Sequence, residues 1–398
     1  MTKYNMFNEK TYKKILQVLF FLALISPLVV DRKLFFPYVT GMALYFRVIV
    51  ELLLALWVIF ILIYPKHRPR VNFLSISIGL YLIVLTLTTI FSANPYLSFW
   101  GDAERMMGLF GMLHFFALFL VGSSLFQDKK ELRNLIVIFT GISLIAAVYG
   151  ILQRFGLTNI KPGETRIMAT MGNAGVFAAY LIFGLFFSAY LSATDSRKNW
   201  RFIFAGAGLI HAIALLLTGT RGAYIGVMAG AFLSLVLIIF TAKDRKIKKI
   251  ISISLASLVI IYALLFLGQN FGLIKGNKYI YRLTHFSLSD ETVVTRFMSW
   301  SWGLKGFKEK PILGYGFENF AIPYNKYFEA RYYNYDPHNE YFDRAHNIVV
   351  EHLVSTGAAG LIAYLLVLYA IAYRLKKIYK RDNDYLFLSI FSGLTAAY

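Results

Sequence analysis

The chain has 398 residues, of which 58% are hydrophobic and 16% charged, with no cysteine and a formal net charge of +20. So low a charged fraction excludes an ordinary soluble domain, which runs nearer a quarter charged, and the missing cysteines exclude disulfides and thiolate metal sites. A positive balance of this size is compatible with nucleic acid, but the placement of the charges argues against that partner.

About 20 apolar residues in a helix cross a bilayer. On that measure spans are expected near 15–30, 42–63, 72–91, 108–126, 132–152, 174–193, 202–217, 222–240, 249–268 and 347–372. A further apolar run, about 385–398, meets the end of the sequence, which predicts a helix running past it. The first run follows Lys3, Lys10, Lys13 and Lys14, as in a signal peptide, but Ser26-Pro27-Leu28 leads into Asp31-Arg32-Lys33 with no small-residue cleavage site. It reads as an uncleaved signal anchor. The expectation is an all-α polytopic membrane protein with about 10–12 spans. It forms a single membrane domain over 1–398, with one large outer-face loop at 269–345.

With a cytoplasmic N-terminus and alternating sides, 23 of the 41 Lys and Arg fall on inside segments and 8 on short outside segments. The other ten lie in the long outside loop, where the positive-inside rule does not operate. Most of the net charge is thus a topology signal, and nucleic acid is not an expected partner.

Along the outer side the chemistry-bearing residues come in order. The turn Trp100-Gly101-Asp102-Ala103-Glu104-Arg105-Met106-Met107-Gly108 holds Arg105. The segment from Arg166 to Gly172-Asn173 precedes the next span. Leu217-Thr218-Gly219-Thr220-Arg221-Gly222 is a very short turn between two spans, which keeps Arg221 at the bilayer surface. A boundary cation of this kind reads either as a lipid-phosphate contact or as a snorkelling arginine that marks a span end. Gly222, Gly226 and Gly230 recur every four residues and predict a small-residue helix face.

In the long loop, Val293, Phe297, Trp300, Leu304 and Phe307 have helical spacing, so a helix is expected at 292–309, capped by Asp290 or Thr292 and carrying Arg296. Pro311 should end it. A two-glycine turn, Pro311 to Phe317, comes next. The aromatic run Tyr324, Tyr327, Phe328, Tyr332, Tyr333, Tyr335, Tyr341 and Phe342 then suits either sugar stacking or an interfacial belt. Asp343-Arg344-Ala345-His346-Asn347 opens the next helix. His346 is placed to act as a general base or as a donor to a diphosphate oxygen; alternatively the His-Asn pair is a cap.

There is no P-loop, no GxGxxG after a strand and no HExxH. The histidines are scattered, and Asp102 and Glu104 are two apart, so a metal site is only weakly supported. The spans are almost free of acids, Glu51 near a span end excepted, which speaks against a proton-coupled transporter.

The joint order of these pieces resembles the O-antigen ligase family, which includes O-antigen polymerases and bacterial O-linked oligosaccharyltransferases. The resemblance covers roughly residues 90–372. It rests on Thr220-Arg221-Gly222, on Arg296 with Pro311-Ile312-Leu313-Gly314-Tyr315-Gly316, and most strongly on Arg344-Ala345-His346-Asn347 followed by Gly357 and Gly360. Gly172-Asn173, and Gly101 to Gly108 with Arg105, are weaker matches. The resemblance implies a C-type membrane glycosyltransferase in the inner membrane of a bacterial cell, with its site on the outer face. Such enzymes take a glycan from undecaprenyl diphosphate and pass it to a lipid, glycan or protein hydroxyl, with no cofactor and no metal. It implies that His346 and Arg221 are catalytic, and that Arg105, Arg166, Arg296 and Asn347 contact substrate. Rival readings are a lipid-linked glycan flippase or exporter, a cell-wall glycan polymerase of the shape, elongation and division type, and a non-catalytic scaffold. The first would need a through-path and alternating access, and the lack of internal repeats favours an enzyme; the second would carry an acidic loop signature, and the third would not need the histidine.

Overall fold

A computed structural model of the chain describes residues 8–158, 166–271, 291–337 and 342–398. Lys3, Asp290, His338 and Tyr341 lie outside them. The described residues form helices and no strands. Eight helices are long and apolar enough to cross a membrane. They are α1 (Glu9–Leu24, continued by a 3-10 turn to Leu28), α2 (Thr40–Ile63), α3 (Phe73–Ile90), α6 (Lys129–Arg154), α7 (Ala174–Thr194), α8 (Lys198–Leu217), α9 (Arg221–Thr241) and α14 (Gly357–Asp382). Between them lie the short α4 (Pro95–Trp100), the 17-residue apolar α5 (Leu109–Leu125) and α10 (Arg245–Asn270). The long loop supplies α11 (Glu291–Glu309) and α12 (Ala321–Lys326), α13 (Ile348–Ser355) follows it, and α15 (Tyr385–Ala397) is the last helix. Many span side chains stay exposed and apolar, among them Leu62, Ile83, Ile90, Phe232 and Ile362. That suits a lipid solvent, in which the helix satisfies its own backbone. The protein is a multi-pass, all-α membrane protein.

The chain divides into two compact units. The first comprises the described residues of Met1–Ala23, Arg32–Gln127 and Ser287–Ile371; the second comprises those of Leu24–Asp31, Asp128–Phe286 and Ala372–Tyr398.

In the first unit, α11 packs on α12 and α13 around a core of Trp302, Phe320, Tyr324, Tyr332, Phe342 and Val354. The expected apolar stripe of α11 is not its most buried face. Thr295, Met298, Ser299, Trp302, Gly303 and Gly306 point inward, whereas Phe297 is 48% exposed. The reason is close approach: a Cβ on Gly306 would stand 2.3 Å from Pro323, and one on Gly303 2.8 Å from Phe320. Small residues, not large ones, face the tightest contact. Nor are the tyrosines uniformly a belt or a sugar platform. Tyr324 and Tyr332 are buried against Trp302, while Tyr333 and Tyr335 are exposed.

The last expected span of this unit, 347–372, does not start at 347. The chain forms α13, breaks at Thr356-Gly357, and starts α14 at Gly357, whose φ of +67° is left-handed. The Pro311–Gly316 segment lies in the break. Tyr315 and Gly316 donate their N–H groups to the carbonyls of Val354 and Ser355, at 2.9 and 2.8 Å. Ala358 and Ala359 donate to Pro311 and Ile312, at 2.8 and 3.2 Å. The backbone groups that a broken helix leaves open are thus satisfied by one loop. Such contact needs glycine: a Cβ on Gly357 would stand 2.2 Å from the Ile312 oxygen, and one on Gly314 2.5 Å from that of Val354.

In the second unit, α7 packs against α6 and α8 over Ala147, Phe177, Ala178, Leu181 and Ala214. The expected glycine face of α9 is partly realised. Gly226 and Gly230 lie against the backbone of α15, where an added Cβ would meet the carbonyls of Ala397 and Gly393 at 2.3 Å. Gly222 has nothing within 4 Å of its Cβ position and takes no part.

Candidate functional site

Within the first unit the segment 343–347 is tied at nearly every residue. Asp343 accepts from Arg105 through both oxygens, Nη2 to Oδ1 at 3.2 Å and Nη1 to Oδ2 at 2.5 Å. This fork-to-fork pair suits the planar guanidinium. Arg105 sits in a loop that closes on itself: Asp102 Oδ1 accepts from the Arg105 N–H at 2.7 Å, and the backbones of Gly101 and Gly108 touch. Arg47, buried in the first third of α2, donates to the Met106 carbonyl at 2.5 Å and so braces the same loop.

Arg344 Nη2 donates to the buried Glu318 at 2.5 Å. Burial pushes the Glu318 carboxyl above the usual carboxylate range, against the pull of Arg344. Ala345 is fully buried, and Asn347 caps α13 by accepting from the N–H groups of Val349 and Val350, at 3.0 and 3.2 Å. That is the ordinary N-cap arrangement, and it leaves the Asn347 amide nitrogen as the donor available to a ligand.

His346 differs from its neighbours. Its backbone φ is +49°, a left-handed conformation unusual for a residue with a side chain, and such residues cluster at functional sites. Its ring is exposed, resting edge-on against Phe342 with centroids 5.5 Å apart. Among the described residues, neither ring nitrogen has a hydrogen-bond partner. By contrast His114, His211 and His352 each direct Nδ1 to the carbonyl four residues back, at 2.7–2.8 Å, and Nε2 to a side chain. Those three link helices; His346 does not. Partial desolvation and then the charge of Arg296 hold its pKa below the ordinary imidazole value. Asp343 opposes this, and Arg105 and Arg344 add to it. The structure therefore groups His346 with Arg105, Arg296 and Asn347 in one unit.

Arg221 and Arg166 belong to the second unit, and there they share a turn. Arg166 Nε donates to the Thr218 carbonyl at 2.7 Å, and its Nη2 to Thr220 Oγ1 at 2.8 Å. Thr220 Oγ1 in turn donates to the Ala174 carbonyl at 3.3 Å. Gln153 Oε1 accepts from the N–H groups of Met168 and Ala169, both at 3.0 Å, fixing the strand of chain that carries Arg166. Arg221 is the first residue of α9, directly after this braced turn. Arg166 thus acts at least partly as a brace for the backbone that presents Arg221.

Sequence reasoning named Asp343 and Trp300 only as members of a motif and of a helical stripe, and gave Glu318 and Glu351 no role. The signal available was scarcity: acids number only 21 in the chain, and three of these lie within a few residues of a motif already singled out.

A family model described as O-Antigen ligase matches residues 206–365. That segment is similar to the O-antigen ligase family. No curated protein matches the chain. The O-antigen ligase segment runs from within α8 into α14 and contains Arg221, Arg296, His346 and Asn347; Arg105 and Arg166 lie ahead of it. The match and the eight candidate spans support a membrane enzyme of the O-antigen ligase or polymerase type.

Proposed function

We propose that the protein transfers a glycan from undecaprenyl diphosphate to an acceptor hydroxyl on the outer face of a bacterial inner membrane, with inversion at the anomeric carbon. The acceptor oxygen attacks that carbon, a new C–O bond forms, and the bond to the diphosphate oxygen breaks. His346 takes the acceptor proton, and undecaprenyl diphosphate leaves with the bonding electrons. The observation that carries this reading is the exposed imidazole of His346, whose ring nitrogens have no hydrogen-bond partner among the described residues, in the field of Arg296 and Arg105. Positive neighbours keep a histidine neutral and thus able to accept a proton. Arginines also stabilise negative charge as it builds on a leaving diphosphate, without a metal ion. Arg296 and Arg105 are assigned this role in the first unit. Arg221, presented by the turn that Arg166 braces, is assigned to the lipid diphosphate. Asn347 is assigned to the glycan through its amide nitrogen.

The test is transfer by the purified protein in lipid vesicles. Undecaprenyl-diphosphate-linked glycan is the donor, and a lipid A-core, a second lipid-linked glycan and a protein are offered in turn as acceptor. Release of undecaprenyl diphosphate with a glycosylated acceptor, lost in folded His346→Ala and Arg221→Ala variants, is the expected result. The reacting acceptor separates ligase, polymerase and protein-glycosylating enzymes. If no acceptor reacts while the donor crosses the bilayer, the enzyme reading fails and an exporter takes its place.

A further inference from the structure

Ala345, directly before His346, is held through both of its backbone groups by side chains from elsewhere. Its N–H donates to Glu351 Oε2 at 2.7 Å. Its carbonyl accepts from Trp300 Nε1, on α11, at 2.6 Å. The second oxygen of Glu351 accepts from Ser355 Oγ at 2.9 Å, so the carboxylate is held at both ends. This is not the usual helix-start arrangement. In a capping box the residue three after the cap reaches back to the cap's own N–H. Here the cap is Asn347, the third residue after it is the apolar Val350, and the carboxylate comes from the fourth. It reaches past the cap to the residue before His346. A buried Ala345 would otherwise leave both backbone groups without partners. The bonds also fix the chain where it enters the left-handed turn at His346, whose own side chain contributes no hydrogen bond among the described residues.

We propose that Glu351 and Trp300 are positioning residues for His346: by gripping the two backbone groups of Ala345 they set the direction of the imidazole. This rests on His346 as the acting group of the transferase described above. Neither residue touches substrate. Glu351 acts as a hydrogen-bond acceptor, so a glutamine, which keeps a carbonyl oxygen at the same reach, preserves its function, whereas an alanine does not.

The test pairs a chemical readout with a kinetic one. Diethyl pyrocarbonate acylates neutral imidazole. Its rate at His346, followed against pH by mass spectrometry of the peptide that begins at Ala345, reports the ring's surroundings without any substrate; fragment ions separate His346 from His352. In Glu351→Ala the pH midpoint at His346 is expected to move up toward that of free imidazole, as the ring leaves its partly desolvated place and the field of Arg296 and Arg105. In the vesicle transfer assay kcat is expected to fall on the order of tenfold to a hundredfold, with the donor KM unchanged. Glu351→Gln is expected to match the wild type in both readouts, and Trp300→Phe to shift both in the direction of Glu351→Ala. Should Glu351→Ala not elute from detergent as a folded species, Trp300→Phe and Glu351→Gln carry the same expectations. An unchanged midpoint and kcat in the alanine and phenylalanine variants overturns the proposal, as does a glutamine variant that behaves like alanine. If His346→Ala retains transfer while the midpoint still moves, the functional reading fails and the positioning role stands.

Discussion

Among the described residues the His346 side chain makes no hydrogen bond that replacement would break, so its substitution separates chemistry from folding. His346→Ala is expected to elute and melt like the wild type while transfer falls about 10²–10⁴-fold, the usual range for a lost general base. Thermal unfolding in detergent and turnover in vesicles check the two halves. The pH dependence follows from partial desolvation and then from the neighbouring charges. A lowered imidazole pKa means that the neutral, proton-accepting form persists to lower pH than for free histidine, so the acid limb of kcat lies below the ordinary value. Arg296→Gln removes a positive charge, makes protonation easier and moves that limb up. Asp343→Asn removes a negative charge and moves it down. Limbs that shift in the opposite directions, measured in the same assay, would remove His346 as the base.

Helices in this protein are shaped by where glycine permits backbone contact. The Pro311–Gly316 segment fills the gap between α13 and α14 only because Gly314 and Gly357 lack a Cβ. Gly357→Ala is expected to cost at least about 1–3 kcal/mol from its left-handed backbone alone, with a further penalty from the Ile312 clash, and to lower the melting temperature. The glycines of α9 give an internal comparison. Gly230→Ala drives a Cβ into the Gly393 carbonyl and should loosen α9 from α15. Gly222→Ala meets nothing and improves helix propensity by about 1 kcal/mol, so its melting temperature should hold or rise. Equal effects at the two positions, in parallel thermal melts, would contradict the packing described.

For the molecule as a whole, the basic residues predict sidedness, and the lack of native cysteine makes that prediction simple to check. Lys130→Cys should react with a membrane-impermeant maleimide only after spheroplasts are opened, whereas Asn325→Cys, in the long loop, should react in intact ones. Both positions are exposed. The reverse pattern would invert the topology and place His346 on the cytoplasmic side. Chelation should leave turnover unchanged if arginines alone neutralise the leaving diphosphate. Loss of transfer in EDTA, restored by a divalent cation, would assign that role to a metal.

The helical membrane class and the position of most spans were legible in the chain itself, because a bilayer imposes length and apolarity on each segment independently. The helix at Glu291–Glu309 was legible by its spacing and its terminal proline. Which of its faces is buried was not: Trp302 and two glycines turn inward while Phe297 turns out, an outcome set by what packs opposite. The same holds for the break at Gly357, which reads as continuous apolar helix until the Pro311–Gly316 segment is in place. Arg105 and His346 stood out singly, as a cation and an imidazole at apolar boundaries. Their association through Asp343, and the grip of Glu351 and Trp300 on Ala345, join residues up to 238 apart in sequence. No local pattern encodes such a distance, and only the folded chain, by burying backbone groups that must find partners, decides it.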